Sequence, residues 1–265
     1  MNYRHGYHAG NFADVVKHIA LIAILGHLKK KDAPFAVIDT HAGRGAYDLT
    51  GEQTRKTGEA GNGIGLLKNL AAPLPDALAT YLEIAGQGET YPGSPLIAAR
   101  LMRPQDRLVA VEKHPEEAEL LRQVLAPWRK ASVEAVDGYA RLPKLLPPAE
   151  RRGLVLIDPP FEAENEFEQL AAAVRAAWRR FATGIYLIWY PIKSQSAAEA
   201  FVGEVLTTGA RALTIEIGIA VPEGRLARAG LLVLNPPYGF EAEMAAVLAR
   251  LEPALGAQTR LEIRT

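Results

Sequence analysis

A chain of 265 residues, about half of them hydrophobic and just under a quarter charged, has the composition of a soluble globular protein and is long enough for one large or two ordinary domains. Its 30 basic and 30 acidic side chains cancel, so bulk charge announces no nucleic-acid partner, and the absence of cysteine excludes disulfides and thiolate metal sites. The apolar runs fall well short of the roughly 18 residues of a membrane span. The polar opening Met1-Asn2-Tyr3-Arg4-His5 lacks the apolar core of a signal peptide, so a cytoplasmic location away from membranes is expected.

The first thirty residues read as helix. Val15, Val16, Ile19, Ala20, Ile22, Ala23 and Leu28 recur at helical spacing, Asn11 or Asp14 can cap the start, and Asp32-Ala33-Pro34 stops it. Residues 1–31 also hold Arg4, Lys17, Lys29, Lys30 and Lys31 against the single acid Asp14, a local basic bias of the kind that phosphate binding needs. The Lys29–Lys31 triplet itself is better read as the favourable neighbour of a helix C-terminus.

Phe35–Asp39 is a short apolar run ending in an acid and predicts a buried parallel strand. Similar runs follow at 108–112, 132–136, 153–157, 184–189, 213–217 and 231–234. Helix-like stretches at 115–125, 167–180 and 195–207 separate most of them. Alternation of this kind predicts a mostly parallel α/β sheet with helices on both faces. The connection 220–229 is too short for a helical crossover, so the last two strands are expected to be antiparallel.

One spacing departs from the dinucleotide pattern. The acid that holds a ribose normally lies about 20 residues beyond the glycine-rich turn. Here the turn is His41-Ala42-Gly43-Arg44-Gly45 and the next strand-ending acid is Glu112. The excess, on the order of 45 residues, predicts an insertion between Tyr47 and Pro92, with a helix near Ile64–Leu70, perched over the cofactor edge. The turn also lacks the full Gly-x-Gly-x-x-Gly fingerprint, which argues against a nicotinamide or flavin dinucleotide.

Asp39, Glu112, Asp137 and Asp158 close successive predicted strands, the edge at which open α/β sheets bind ligands. Glu112 is placed to take ribose hydroxyls, and Asp137-Gly138 to meet an adenine. Asp158-Pro159-Pro160-Phe161 is the most informative segment. Proline has no N–H and a fixed φ, so this turn is stiff and offers acceptors without competing donors. Its carboxylate and carbonyls can take both hydrogens of an exocyclic amine while the Phe161 ring stacks on a flat base. Asn235-Pro236-Pro237-Tyr238 matches the same pattern, but it closes the last strand and is read as a rigid turn. The six histidines form no helical His-x-x-x-His pair, so zinc is not expected. Gly-x-Ser-x-Gly is absent, which disfavours a hydrolase.

With these residues in place the chain resembles the RlmJ-type family of 23S ribosomal RNA adenine-N6 methyltransferases. The resemblance runs from Tyr3 to the end. It is most specific over Tyr3–His18, Asp39-Thr40-His41-Ala42-Gly43 and Asp158–Phe161. It implies a class I S-adenosylmethionine-dependent methyltransferase with a Rossmann-like sheet formed by residues 1–46 and 93–265, and a small helical subdomain inserted over 47–92. It further implies S-adenosylmethionine as donor and 23S ribosomal RNA as partner, protein-free or in an early assembly intermediate, with the enzyme acting as a monomer.

Matched position by position, the resemblance places His18, His41, Ser94, Glu112, Asp137, Gly138 and Asp158 at the cofactor. It makes Asp158 the catalytic acid, and gives Lys17 and Tyr3 roles in catalysis or substrate binding. Arg4, for a phosphate, and Phe161, for the base, complete the expected substrate side. Phe161 stands where tyrosine is common in amine methyltransferases. Enzymes that methylate DNA adenine-N6, DNA cytosine-N4 or a protein glutamine amide share the tetrapeptide, and they are the alternative.

Overall fold

The structure, a computed structural model, describes residues 8–51, 58–86, 88–222 and 224–264. The helix expected first is α1 (Phe12–Lys29), and Asn11 caps it, its Oδ1 accepting from the amides of Ala13 and Asp14. After it come the strands β1 (Ala36–Asp39) and β2 (Ala46–Asp48), the helices α2 (Ile64–Leu67) and α3 (Asp76–Ala85), then β3 (Thr90–Pro92) and α4 (Ser94–Leu101). A regular alternation takes over with β4 (Arg107–Val111), α5 (Pro115–Leu125), β5 (Ala131–Glu134), α6 (Gly138–Leu145), β6 (Gly153–Ile157), α7 (Glu166–Arg180), β7 (Ile185–Pro191) and α8 (Gln195–Leu206). The chain closes with β8 (Ala212–Ile219), β9 (Arg228–Leu234), α9 (Phe240–Leu255) and β10 (Ala257–Arg264).

Eight strands form one sheet in the order β10-β8-β9-β7-β6-β1-β4-β5. The block β5-β4-β1-β6-β7 is parallel, whereas β9 runs antiparallel to both β7 and β8. The expected antiparallel end pair is therefore present, with β9 inserted between its neighbours. Strand order reverses at β1, which pairs with β4 on one side and β6 on the other. The crevice outside the carboxyl ends of those three strands is where an open α/β sheet offers a ligand site. α9 and β10 went unpredicted; β10 pairs antiparallel with β8 as an edge strand of alternating exposure.

Helices cover both faces. α6, α7 and α8 pack on one side around Leu170, Val174, Tyr186 and Phe201. α1, α3, α4 and α9 pack on the other. α1 is buried almost all round, including Asp14, Lys17 and His18, because α3, α4 and α9 cover the side turned away from the sheet. That burial places polar groups of α1 in a low-dielectric setting, where they must be paired.

The segment beyond β1 is closed at its base by the ribbon of β2 and β3, with Ala46 opposite Pro92. Ile64, Leu67, Leu78, Tyr81 and Tyr91 enter the same apolar cluster as α1 rather than a core of their own. The Ile64 amide donates to the Gly10 carbonyl at 2.9 Å. A Cβ on Gly63 would lie 2.1 Å from that same oxygen, so only glycine allows the two segments to meet this closely.

Candidate active site

The four strand-ending acids do reach one edge. Asp39 ends β1, Glu112 follows β4, Asp137 caps α6 after β5, and Asp158 follows β6. Each is held differently. Glu112 accepts the Gly43 amide on one oxygen (2.9 Å) and the His114 amide on the other (2.8 Å), so its carboxylate is fixed across the crevice. A carboxylate has about four lone-pair sites, which leaves capacity for two hydroxyls. Gly43 can offer its N–H because its backbone is left-handed, at φ 60°.

Asp137 accepts the Ala140 amide at 3.1 Å and meets the Lys113 ammonium at 3.0 Å. Burial opposes ionisation here, but the Ala140 amide and Lys113 bring its pKa below the usual range. Gly138 also has a packing reason: a Cβ there would lie 2.2 Å from the Thr40 carbonyl. The glycine lets the start of α6 close on the end of β1.

Asp39 is only 1 % exposed. Ser94 donates to its Oδ2 at 2.6 Å while Oδ1 has no partner among the described residues. Burial pushes its pKa up to about 7, against the Ser94 hydrogen bond. His41 bonds the Thr40 hydroxyl at 2.8 Å and packs edge-on to Tyr139. Burial pushes its pKa down to about 4, so the ring is neutral near pH 7. His18 bonds the Tyr91 hydroxyl at 2.8 Å, which in turn contacts the Tyr81 hydroxyl at 3.1 Å. Residues of the segment between β2 and α4 thus orient a histidine on α1.

Asp158 meets Lys17. The Lys17 ammonium lies 2.7 Å from Asp14 Oδ1 and also donates to Asp158 Oδ2, with the lysine side chain only 3 % exposed. Asp14 is steadied in turn by the Gly10 amide at 3.0 Å. Burial would lower the lysine pKa, but the two carboxylates outweigh it and raise it above its ordinary value. Lys17 therefore stays protonated near neutrality and acts as a fixed cation rather than a base.

Two cavities adjoin this pair. One, of about 360 Å³, is lined by His18, His41, Gly43, Ser94, Glu112, Asp137, Gly138 and Tyr139. The other, of about 240 Å³, is lined by Asn11, Asp14, Phe161, Trp189, Lys193 and Leu226 among others. Lys17, Asp158 and Pro160 line both and form their shared wall. Phe161 adopts φ 51°, a strained conformation for an aromatic residue. Its ring sits edge-on to Phe167 and Trp189 at 4.9 and 5.8 Å.

Asn235 lies elsewhere. Because β9 is antiparallel, its last residue, Leu234, pairs with Tyr186 at the start of β7, at the edge opposite Asp158. The Asn235 amide donates to the Ala182 and Gly184 carbonyls, which makes it a structural turn. Tyr3 and Arg4 lie outside the described residues. The sequence reading missed Asp14, Tyr139 and Trp189. Each had a signal: Asp14 is three residues before Lys17 on a helix, Tyr139 follows Asp137-Gly138, and Trp189 nears the carboxyl end of the strand beside β6.

A doubly wound sheet with its last core strand turned antiparallel, carrying acids at the switch point and Asp-Pro-Pro-Phe at the end of β6, defines a class I methyltransferase. Residues 32–263 match the family model described as RsmJ, ribosomal RNA large subunit methyltransferase D, RlmJ. The chain is 40 % identical over 264 residues to ribosomal RNA large subunit methyltransferase J of Escherichia coli K12, covering 96 % of this chain and 94 % of that one. Identity to the Haemophilus influenzae protein of the same name is 38 % over 265 residues, with the same coverage of 96 % and 94 %. A crystal structure of a Legionella pneumophila protein superposes with a TM-score of 0.89 at 34 % identity, spanning 97 % of this chain and 99 % of that one. The chain belongs to this family of ribosomal RNA large subunit methyltransferases. Among the described residues, no helix is long and apolar enough to cross a membrane.

Proposed function

We propose that the chain transfers a methyl group from S-adenosylmethionine to the N6 amine of an adenine in 23S ribosomal RNA. The observation that carries this reading is the pair of cavities sharing a wall of Lys17, Asp158 and Pro160. Methyl transfer needs donor and acceptor on two sides of one point, and the amine-binding carboxylate must stand there.

The larger cavity suits the cofactor. Glu112 would take the ribose hydroxyls, Asp137 the adenine amine, and the His41–Tyr139 ring pair the adenine face, with His18 and Ser94 toward the amino-acid end. S-adenosylmethionine supplies an electrophilic methyl on a sulfonium, which leaves as the neutral thioether with the bonding electron pair. The smaller cavity suits the acceptor base, with Phe161 and Trp189 as its aromatic walls.

An adenine amine is a poor nucleophile because its lone pair is delocalised into the ring. Asp158 and the Pro159 carbonyl would accept its two hydrogens, turning the lone pair out of conjugation and opposing the positive charge that develops on nitrogen. One of those protons leaves through Asp158 to solvent as the N–C bond forms. Lys17 holds Asp158 Oδ2 and so fixes the carboxylate direction, and positioning and electrostatics supply most of the rate. The base must be single-stranded or flipped to enter.

The test is transfer of labelled methyl to protein-free 23S ribosomal RNA, followed by nucleoside analysis, with Asp158→Ala alongside. N6-methyladenosine from the wild type, and its loss in a folded, cofactor-binding Asp158→Ala, is the expected result. Turnover retained by that variant refutes the role of Asp158. Cofactor binding without transfer to RNA refutes the acceptor.

A further inference from the structure

Resting on that reading, we infer that a third cavity, beside the acceptor pocket, holds the unpaired base next to the target adenine in the same RNA strand. The cavity has a volume of about 310 Å³ and shares Asn11 and Leu226 with the acceptor pocket, so the two lie side by side in one trough. The site has no part in the methyl-transfer chemistry, and its composition suits a nucleobase.

Its walls are apolar where a base face would lie. Phe12, Leu66, Val221 and Pro222 line it, and Leu66 is 48 % exposed, one of few large apolar side chains so open to solvent. Its rim carries the exposed Asn62 and Arg225. An amide can read the edge of a base, and a guanidinium can hold the phosphate that joins it to the target. Single-stranded RNA is bound in this way, with bases on apolar or aromatic faces and cations along the backbone. Glu59 also lines the cavity and its charge is felt by Arg225, and Lys193, exposed at the acceptor pocket, adds a second cation on that side.

The trough is preformed. One wall is docked to the start of α1 through the Ile64–Gly10 backbone bond and through Glu59, whose Oε2 accepts from Asn11 at 3.1 Å and pairs with His8 at 3.0 Å. The other is the β8–β9 connection, closed by the Ile219 amide on the Ala227 carbonyl at 2.9 Å. The inserted segment and the β8–β9 connection, far apart in sequence, thus have a common task in RNA selection.

The test uses the full-length enzyme and a short single-stranded RNA carrying the unmethylated target adenine, with each neighbouring nucleotide in turn made abasic. One of the two abasic RNAs should show a KM about 5- to 150-fold higher with kcat little changed, the loss expected of one stacked base. Leu66→Asp, an exposed substitution outside the catalytic machinery, should raise KM for the intact RNA to a similar extent. S-adenosylmethionine affinity and the unfolding temperature should not change, and Leu66→Asp should no longer respond to the abasic change. Equal KM for intact and both abasic RNAs overturns the inference. So does a Leu66→Asp enzyme with wild-type KM on naked RNA that fails only on assembly particles, which would give the cavity to a ribosomal protein. A wild type that binds cofactor yet methylates no RNA sinks the proposed function together with this subsite. Normal transfer that ignores both changes sinks the subsite alone.

Discussion

Replacing Lys17 by methionine removes a cation from between two carboxylates while keeping most of the apolar stem. At 2.7 Å from Asp14 and an effective dielectric near 20, the attraction to one carboxylate is about 6 kcal/mol, offset by several kcal/mol of desolvation for the buried ammonium. What the substitution exposes is the other side of that balance, since Asp14 and Asp158 would be left facing each other with side chains only 3 % and 13 % exposed. Breaking a buried pair by deleting one partner costs about 3–5 kcal/mol. In a domain of this size each kcal/mol lowers Tm by roughly 2–4 °C, so the expected fall is about 6–20 °C.

Asp158 also loses what fixes its direction, and a misplacement of this kind costs on the order of 100-fold in rate. The lysine pKa is raised in the fold. The bridge therefore contributes fully below the unfolded lysine value near 10.4, and its contribution is lost only as pH rises through the still higher folded value. The stability difference between wild type and Lys17→Met should accordingly be flat with respect to the lysine between pH 6 and 9. Urea unfolding and single-turnover methyl transfer, both below the variant's transition, measure the two effects. A variant within 1 kcal/mol of wild type, or one with undiminished single-turnover rate, would falsify the assignment of Lys17 as the cation that holds the reactive carboxylate.

Asp39 carries a pH signature of the same sign in a lower pH window. Its folded pKa of about 7 exceeds the unfolded value near 3.9, so the unfolded chain gives up its proton first and stability is lost as pH rises through that interval. Asp39→Asn should thus gain stability relative to wild type between pH 5 and pH 8 in paired thermal melts, and an unchanged difference would contradict the raised value. Glu112→Ala removes the acceptor for two backbone amides as well as the ribose ligand proposed above. S-adenosylmethionine affinity should fall at least about tenfold, each charged hydrogen bond being worth about 1.5–3 kcal/mol, and titration calorimetry on the folded variant reads this directly.

Much of the architecture was legible from local chemistry. Short apolar runs ending in acids announced the parallel strands, because a strand buried on both faces needs continuous apolar residues and a ligand edge needs polar ends. Pro115 and the amphipathic residues after it marked α5, whose observed span matches the expected one. β10 was missed although Thr259, Leu261 and Ile263 alternate with Gln258, Arg260 and Glu262, the period of a half-exposed edge strand.

The sequence by itself determined the chemistry on offer: a stiff Asp-Pro-Pro turn, a set of strand-ending acids, and a helix bearing Lys17 and His18. Tertiary structure decided which of these groups meet. Asp158 and Asn235 head similar tetrapeptides, yet strand direction puts them at opposite edges of the sheet, and direction is a property of pairing rather than of local sequence. Lys17 reads as a surface lysine until α3, α4 and α9 cover the outer side of its helix. Burial then compels it to find Asp14 and, across 141 positions of chain, Asp158, because an unpaired charge in that low-dielectric setting would cost more than the fold can supply.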